Sequence, residues 1–335
     1  MSESKNISGW VGRRCPHRAA DDVTHSRWAE DGHALAGALT SAAVVVLFFG
    51  IAINSARAAV VFDVYSAYHY IEVTDNNGVR MLSFNGSMET RMSTAQPLQG
   101  HFEYTEFFHM PWLWNTNVKR VLMIGLGGGS TQRSYQHYYT NVHVDTVELD
   151  PVVVRVAKDF FHVTESPTHK IHLQDGRVFL RRTTNLWDVI LMDAYATTRY
   201  GSSVPPHLTT KEFFTQVRNH LPTNGVLAYN LIGEIEGWNQ DFVGGLYRTI
   251  KEVFPQVYLF KATETRNVVL IATRSNERFD ITRVQKDGAA LIRNGKILVP
   301  TFTARLQSFV NFPPSSAARV PVFTDDRAGV EGLLR

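Results

Sequence analysis

The feature that most constrains this chain is a glycine-rich turn between two apolar runs. Residues Val121–Ser130 read VLMIGLGGGS, so a short strand-like segment ends in a turn that holds four glycines. Glycines there let the backbone bend tightly and approach a ligand closely. A second run, Val144–Asp150, carries Glu148 at the spacing of an acid that accepts hydrogen bonds from ribose hydroxyls. This order predicts a βαβ unit that binds a nucleoside-type cofactor.

Strand-like and helix-like segments alternate from Lys119 onwards. Strands are predicted near 120–125, 143–148, 170–174, 188–193, 225–231, 256–260 and 267–273, and helices near 130–138, 151–161, 176–183, 209–221 and 238–253. Such alternation predicts an α/β fold with a doubly wound, mostly parallel seven-stranded sheet. Only a turn separates the last two strands, so they are predicted to form an antiparallel hairpin. Before this region, Asn76–Gly78 lies between two strand-like runs and predicts a β-hairpin.

The N-terminal part of the chain has a different character. Residues 34–56 carry no charged side chain and are long enough to cross a bilayer, and Ala56-Arg57-Ala58 also fits a signal cleavage site. We therefore expect an N-terminal hydrophobic helix and a membrane-associated or exported protein, although a buried core helix is an alternative. The predicted segments are a polar leader (1–33), a transmembrane or signal segment (34–58), a small β-rich domain (59–110), a Rossmann-like domain (111–280) and a C-terminal extension (281–335).

Composition argues against several other classes of function. The formal charge is only +3 and the chain has no dense block of Lys and Arg, which disfavours nucleic-acid binding. Cys15 is the single cysteine, so neither an internal disulfide nor a cysteine metal cluster can form. The 13 histidines show no metal-ligand spacing, and we predict no metal.

Three acids end predicted strands at the edge where such sheets bind ligands. They are Glu148, Asp175 and Asp193. A carboxylate at Asp175 can accept the adenine amino group, although an Asp before Gly176 also suits a helix N-cap. Asp193 follows an apolar strand, and its alternative reading is a turn-forming residue.

The motifs around these acids resemble those of the spermidine synthase family. They are Ile124–Gly129 (IGLGGG), Val147–Pro151 (VELDP), Gln174–Arg177 (QDGR), Asp188–Asp193 (DVILMD) and Asn224–Leu227 (NGVL). This family consists of polyamine aminopropyltransferases on the class I S-adenosylmethionine-dependent methyltransferase fold. The Thr324–Ala328 segment (TDDRA) is similar to the tail of the bacterial spermidine-synthase-like branch.

The resemblance implies roles for individual residues. Gly125, Gly127 and Gly129 would shape the cofactor turn, Glu148 would bind ribose, and Asp175 would bind adenine. Asp193 would be the catalytic acid-base residue, and Tyr104 would position the amine. The implied co-substrate is decarboxylated S-adenosylmethionine or S-adenosylmethionine itself, and the implied partner is a diamine or polyamine. A homodimer is also implied. Contact with a membrane through residues 34–56 is expected from the apolar run itself.

Some positions depart from the family pattern. The acid usual in the glycine turn is replaced by Gly128, the second acid after the fourth strand by Ala196, and the usual His or Gln by Thr105. Substitute substrate ligands could be Tyr195, Glu106, Asp325 or Asp326, with Glu103 as a further acid, although each of these acids also suits an ordinary surface position. The loop at 197–207 is either a lid or a plain surface loop.

Two other functions therefore stay open alongside aminopropyl transfer. The missing acid at Gly128 motivates a methyltransferase that uses intact S-adenosylmethionine. The apolar N-terminal segment motivates a non-catalytic, membrane-tethered binding protein. A nicotinamide dehydrogenase is disfavoured because the sequence shows no hydride-transfer site.

Overall fold

Strand-forming sequence directly after residue 58 folds into a four-stranded antiparallel sheet with the order β1-β2-β3-β4. The computed structural model describes residues 58–198 and 201–327. The strands of this N-terminal sheet are β1 (Ala59–Tyr65), β2 (Tyr70–Asn76), β3 (Val79–Phe84) and β4 (Ser87–Ser93). The predicted hairpin turn is present, with Asn77 and Gly78 at φ 50° and 77°. Positive φ at both central residues matches the twist of the flanking strands.

Strand β4 contains a β-bulge. Leu82 of β3 lies opposite Thr90, whereas the next residue, Ser83, lies opposite Met88. Glu89 is therefore the extra residue of the bulge on β4. A bulge bends its strand and re-aims the side chains beside it.

An 11-residue 3-10 helix, Glu103–Leu113, joins the N-terminal sheet to the main domain. The following strands are β5 (Arg120–Ile124), β6 (His143–Glu148), β7 (His169–Leu173), β8 (Val189–Met192), β9 (Ala196–Thr198), β10 (Gly201–Ser203), β11 (Val226–Ile232), β12 (Gln256–Lys261), β13 (Asn267–Thr273) and β14 (Phe309–Val310). The helices are α1 (Ser130–Tyr138), α2 (Pro151–Phe161), α3 (Gly176–Arg182), α4 (Lys211–Asn219), α5 (Gln240–Lys251), α6 (Ile281–Arg293) and α7 (Phe302–Arg305), with short 3-10 helices at Pro206–Leu208, Leu306–Ser308 and Ser315–Ala318.

The main sheet has eight strands in the order β14-β12-β13-β11-β8-β5-β6-β7. Strands β11, β8, β5, β6 and β7 run parallel, whereas β13 pairs antiparallel with both β11 and β12. The predicted α/β fold and the antiparallel hairpin are therefore confirmed. The sheet is mixed and has eight strands instead of the predicted seven, the eighth being the two-residue β14 on the edge. The chain builds outward from β5 in both directions, so the switch point lies between β5 and β8.

Both faces of the main sheet are buried, which explains the continuous apolar runs in the sequence. In β8, Ile190 and Met192 belong to the core cluster that includes helix α4, whereas Val189 and Leu191 belong to the cluster that includes Phe107. These two layers hold the carboxyl ends of β5 and β8 in fixed positions.

The region after residue 280 is more regular than expected. Asp280 caps helix α6 by accepting a hydrogen bond from the Arg283 N–H, and Val284, Gly288 and Leu291 form its buried face. Their spacing is that of one helical face. The helix is otherwise polar, which is why its pattern is weak in the sequence.

The predicted localisation has to be corrected. Within residues 58–198 and 201–327, no helix has the length and apolar character needed to cross a membrane. The apolar run at 34–56, from which the hydrophobic helix was predicted, lies outside the described residues. The membrane-associated or exported localisation is therefore withdrawn, and with it the membrane as a partner.

Candidate active site

A cavity opens at the carboxyl ends of β5, β6, β7 and β8. It is lined by the glycine turn, by the ends of these strands, by β4 and by the 3-10 helix Glu103–Leu113. The segment between β8 and α4, the loop after β8, completes the lining. Seven of the predicted site residues line this one cavity, namely Tyr104, Gly125, Gly127, Glu148, Asp175, Asp193 and Tyr195. Gly129 lies at the end of the same turn, as the N-cap of α1. Residues from distant parts of the sequence therefore form a common site.

The glycine turn needs glycine at defined positions. Gly125 has a φ of 101°, and a Cβ atom there would lie 2.2 Å from the carbonyl oxygen of Asp193. Gly129 has a φ of 71°, and its Cβ would lie 2.2 Å from Val163 Cγ2. Any side chain at either position would push the turn away from β8 or α2, so the glycines bring the turn close to its neighbours.

Glu148 is held at the cavity wall by backbone donors. Its Oε2 accepts from the Leu126 N–H at 3.0 Å, and its Oε1 accepts from the Asp150 N–H at 2.9 Å. Burial raises the pKa of Glu148, and these backbone hydrogen bonds oppose the rise. Each carboxylate oxygen keeps a further lone pair, which suits it to accept hydroxyl groups of a ligand.

Asp175 takes one of the two roles that the sequence left open, that of a helix N-cap, and its adenine contact stays a prediction. Its Oδ1 caps helix α3 by accepting from the Val178 N–H at 2.8 Å. Its Oδ2 faces the cavity and lies 2.9 Å from His207 Nε2. The hydrogen bond with His207 lowers the pKa of Asp175. His207 belongs to the loop after β8, so this loop is tied to the cavity wall.

Asp193 lies at the centre of the cavity, next to the glycine turn. Tyr104 Oη donates to Asp193 Oδ2 at 3.2 Å, and Asn230 Nδ2 donates to Asp193 Oδ1 at 2.8 Å. Burial raises the pKa of Asp193 to about 7, the two hydrogen bonds oppose the rise, and the negative charge of Glu89 adds to it. A carboxyl group with a pKa near neutrality can both accept and release a proton at physiological pH.

Three residues of this site were not predicted from the sequence. Asn230 is a polar side chain inside the apolar strand β11, and its own Oδ1 accepts from Asn267 Nδ2 at 3.0 Å. Glu89 and Thr90 reach the cavity from β4 of the N-terminal sheet. Only Asn230 had a local signal, because a polar residue in a buried strand calls for a partner.

The loop after β8 covers part of the cavity. Tyr195 Oη donates to the carbonyl of Asn230 at 2.9 Å, which fixes the tyrosine beside Asp193. Ala196, Pro205 and Leu208 also line the cavity. The lid role of residues 197–207 stays a prediction.

The other candidate acids lie elsewhere. Among the residues that the structure describes, Glu103, Glu106, Asp325 and Asp326 do not line the cavity. Glu103 and Glu106 pair with Arg305, Asp325 pairs with Arg177 at 2.6 Å, and Asp326 is exposed. Glu103, Glu106 and Asp325 therefore have structural partners, and none of the four acids lines the cavity with Asp193.

Four of the buried side-chain polar atoms without a protein partner belong to residues that line this cavity, and nine others lie elsewhere in the described part of the chain. The four are His69 Nδ1, Thr131 Oγ1, Gln132 Oε1 and Asp150 Oδ2. A polar ligand in the cavity could pair with atoms of this kind. In the described part of the chain, no group of three or more His, Cys, Asp or Glu side chains has the arrangement of a metal site.

Several known proteins resemble this chain in sequence. The sequence profile of the spermine/spermidine synthase domain matches residues 101–269. A polyamine aminopropyltransferase of Vibrio vulnificus is 30% identical over 225 residues, which cover 64% of this chain and 72% of that protein. An eEF1A lysine and N-terminal methyltransferase of Xenopus laevis is 34% identical over 164 residues, which cover 47% of this chain and 23% of that protein.

The fold has counterparts among solved structures. A probable spermidine synthase from Corynebacterium glutamicum superposes with a TM-score of 0.62 at 20% identity, over 79% of this chain and 96% of that one. At this identity the likeness shows the fold alone. The profile covers half of the sequence, and four of the five motifs that it spans contribute residues to the cavity lining. The chain therefore belongs to the spermine/spermidine synthase domain family, a family of transferases.

Proposed function

We propose that this protein transfers an aminopropyl group from decarboxylated S-adenosylmethionine to a diamine such as putrescine, with Asp193 as the base. The observation that carries the proposal is Asp193 itself, a carboxyl group with a pKa of about 7 beside the glycine turn. Membership of a family whose curated relatives are named polyamine aminopropyltransferases supports the reaction type.

The adenosyl part of the donor fits the wall formed by β5, β6 and β7. Glu148 would accept hydrogen bonds from the ribose hydroxyls, as expected for an acid at the end of the second strand. Asp175 Oδ2 would accept the adenine amino group, and its bond with His207 would be exchanged for this contact. The glycine turn lets the ligand approach the backbone between these two acids.

The acceptor amine poses the main chemical difficulty. A free alkyl amine has a pKa of about 10 and is mostly protonated at neutral pH, so its lone pair is blocked. Ionised Asp193 would take a proton from the amine and orient its lone pair, with Tyr104 Oη holding the second carboxylate oxygen.

The transfer itself then needs little electrophilic help. The amine nitrogen attacks the aminopropyl carbon next to the sulfonium, the C–N bond forms as the C–S bond breaks, and sulfur leaves as the neutral thioether of 5′-methylthioadenosine. The proton lost by the amine remains on Asp193 until it passes to solvent. A cavity that excludes water favours the loss of the sulfonium charge.

The decisive experiment supplies the purified protein with decarboxylated S-adenosylmethionine and putrescine and detects products by mass spectrometry. We expect spermidine and 5′-methylthioadenosine in equal amounts over many turnovers. Absence of both products would contradict the proposal.

A methyltransferase is the second candidate because the acid expected in the glycine turn is replaced by Gly128 and one relative is named a methyltransferase. This function requires tighter binding of intact than of decarboxylated S-adenosylmethionine. Calorimetric titration of the two donors separates the candidates.

A further inference from the structure

The proposed nucleoside contacts do not explain how the charged end of the donor is bound. The decarboxylated donor ends in a primary ammonium group, whereas intact S-adenosylmethionine carries a carboxylate beside its ammonium group. Binding the first and rejecting the second requires negative charge in the cavity. The glycine turn provides none, because Gly128 stands where the resembling family has an acid.

An acid cannot be accommodated at Gly128 without moving its neighbours. A Cβ atom there would lie 2.6 Å from Thr90 Cγ2 and 3.0 Å from Phe161 Cδ1. The Gly128 N–H also donates to Thr90 Oγ1 at 2.9 Å. Thr90 of the N-terminal sheet therefore occupies the space beside Gly128. Because Glu148, Asp175 and Asp193 are already assigned to the nucleoside and to the acceptor amine, the carboxylate that replaces the missing acid has to come from another element.

The β-bulge on β4 brings an acid to this place. In a regular strand, successive side chains point to opposite faces of the sheet. Because Glu89 is the extra residue of the bulge, both Glu89 and its neighbour Thr90 line the cavity. The acid thus stands next to the side chain that covers Gly128.

A hydrogen bond from strand β10 helps to fix the position of Glu89. Ser202 Oγ donates to Glu89 Oε1 at 2.7 Å, so the segment after β8 holds the carboxylate. The negative charge of Glu89 contributes to the raised pKa values of Asp193, Tyr104 and Tyr195. The charge of Glu89 is therefore close enough to affect Asp193, the proposed base.

We propose that Glu89 is a specificity residue that binds the primary ammonium group of the donor's aminopropyl chain, in place of an acid in the glycine turn. This proposal rests on the proposed function and deepens it. The same carboxylate repels the carboxylate of intact S-adenosylmethionine, and so it selects the decarboxylated donor.

The test compares Glu89→Gln with the wild-type protein by calorimetric titration of three ligands. They are decarboxylated S-adenosylmethionine, intact S-adenosylmethionine and 5′-methylthioadenosine, which has the nucleoside but no charged tail. A hydrogen bond to a charged group contributes enough that we expect the Kd of the decarboxylated donor to rise about ten- to a hundredfold. The Kd of 5′-methylthioadenosine should change less than about twofold, which also shows that the variant is folded.

Glu72→Gln is a matched control, because Glu72 lies on β2 of the same sheet and outside the cavity lining. It should leave all three Kd values unchanged. The preference for the decarboxylated over the intact donor should fall only in Glu89→Gln.

Several results would overturn the assignment. They are an unchanged Kd for the decarboxylated donor, an equal loss for all three ligands, and a wild-type preference for the intact donor. An effect confined to the KM of putrescine would assign Glu89 to the acceptor instead and would equally overturn it. Wild-type protein that binds the decarboxylated donor selectively but forms no spermidine contradicts the proposed function, while the Glu89 titrations still decide this proposal.

Discussion

Asp193 on one hand, and Glu103 and Glu106 of the 3-10 helix on the other, are carboxylates with opposite surroundings. Asp193 receives hydrogen bonds from uncharged donors, Tyr104 and Asn230. Glu106 interacts with Arg305 and His101, and the Glu103 side chain, only 1% exposed, pairs with Arg305 at 2.8 Å. Both groups are largely buried, so burial alone does not distinguish them.

The difference appears in their acidity. Burial raises the pKa of both Asp193 and Glu106, but at Glu106 the hydrogen bonds from His101 and Arg305 outweigh it and lower the pKa to about 2. At Asp193 the hydrogen bonds from neutral donors do not outweigh the effect of burial, and the pKa of Asp193 is about 7. An acid that already has an arginine partner is structural, whereas an acid without one is available to a substrate amine.

The largest expected effect comes from Asp193→Asn. Asparagine keeps the shape of the side chain but cannot accept the proton, so kcat should fall about a thousandfold, within the usual range for a general base. Steady-state kinetics with decarboxylated S-adenosylmethionine and putrescine measure this loss. Affinity for 5′-methylthioadenosine should persist as the control, and a kcat within about tenfold of wild type would remove Asp193 from its role.

Arg305→Ala tests the other group. It leaves two buried carboxylates without their cation, so the free energy of unfolding should fall by about 3–5 kcal/mol. Urea denaturation followed by circular dichroism measures the change. The triple variant that also carries Glu103→Gln and Glu106→Gln should recover more than half of the loss, and a drop below about 1 kcal/mol would refute a structural role.

The two acids should also change stability with pH in opposite directions. Asp193 has a folded pKa of about 7 against an ordinary value of 3.8, so wild-type stability falls as pH rises through this window. Asp193→Asn should therefore have a melting temperature a few degrees above that of wild type at pH 8. Below pH 4 the two proteins should have the same melting temperature. Glu106 has a folded pKa of about 2 against 4.5, so its contribution is present above pH 4.5 and is lost as pH falls toward 2.

Glu106→Gln should accordingly melt below wild type at neutral pH, and the gap should narrow in acid. Thermal melts of both variants across this pH range provide the measurement. Differences of the same sign for the two variants would contradict the contrast between the acids.

The smallest expected effect is a shift in the pH profile of Tyr104→Phe. Removing the hydroxyl that donates to ionised Asp193 should raise the pKa of this carboxyl group further, so the midpoint of kcat/KM against pH should move upward from about 7. Tyr195→Phe is the matched control, because its hydroxyl donates to the carbonyl of Asn230 instead. Equal midpoints for wild type and Tyr104→Phe would show that the phenol does not set the pKa of the base.

Sequence analysis found the part of the site that local pattern determines. Strand ends, turn glycines and the acids after the strands follow from short-range periodicity, so Gly125, Glu148, Asp175 and Asp193 were all identified. The tie between Asp175 and His207 was not, because it depends on where a long loop returns to the sheet. Helix α6 was missed because its buried face comprises only three small or apolar positions on a polar helix.

Long-range partners explain the remaining differences. Glu103 and Glu106 have the residue type of amine ligands, but Arg305, about 200 positions away in the chain, pairs with both. Glu89 and Thr90 reach the cavity through a bulge in a separate sheet, which no periodic pattern reveals. The glycine turn and the acids after the strands were therefore predictable, whereas the side chains that the N-terminal sheet adds to the cavity were not.

The contact of Thr90 with Gly128 also bears on how such enzymes diverge. The glycine turn and Glu89, the residue proposed to bind the donor's tail, come from two different sheets. Substitutions at Glu89 and Thr90, two adjacent positions of β4, can therefore change which donor is preferred. The glycine turn, β5 and the acids at the strand ends can stay unchanged. An ancestral binding scaffold can acquire a new transferred group without rebuilding the part that recognises the nucleoside.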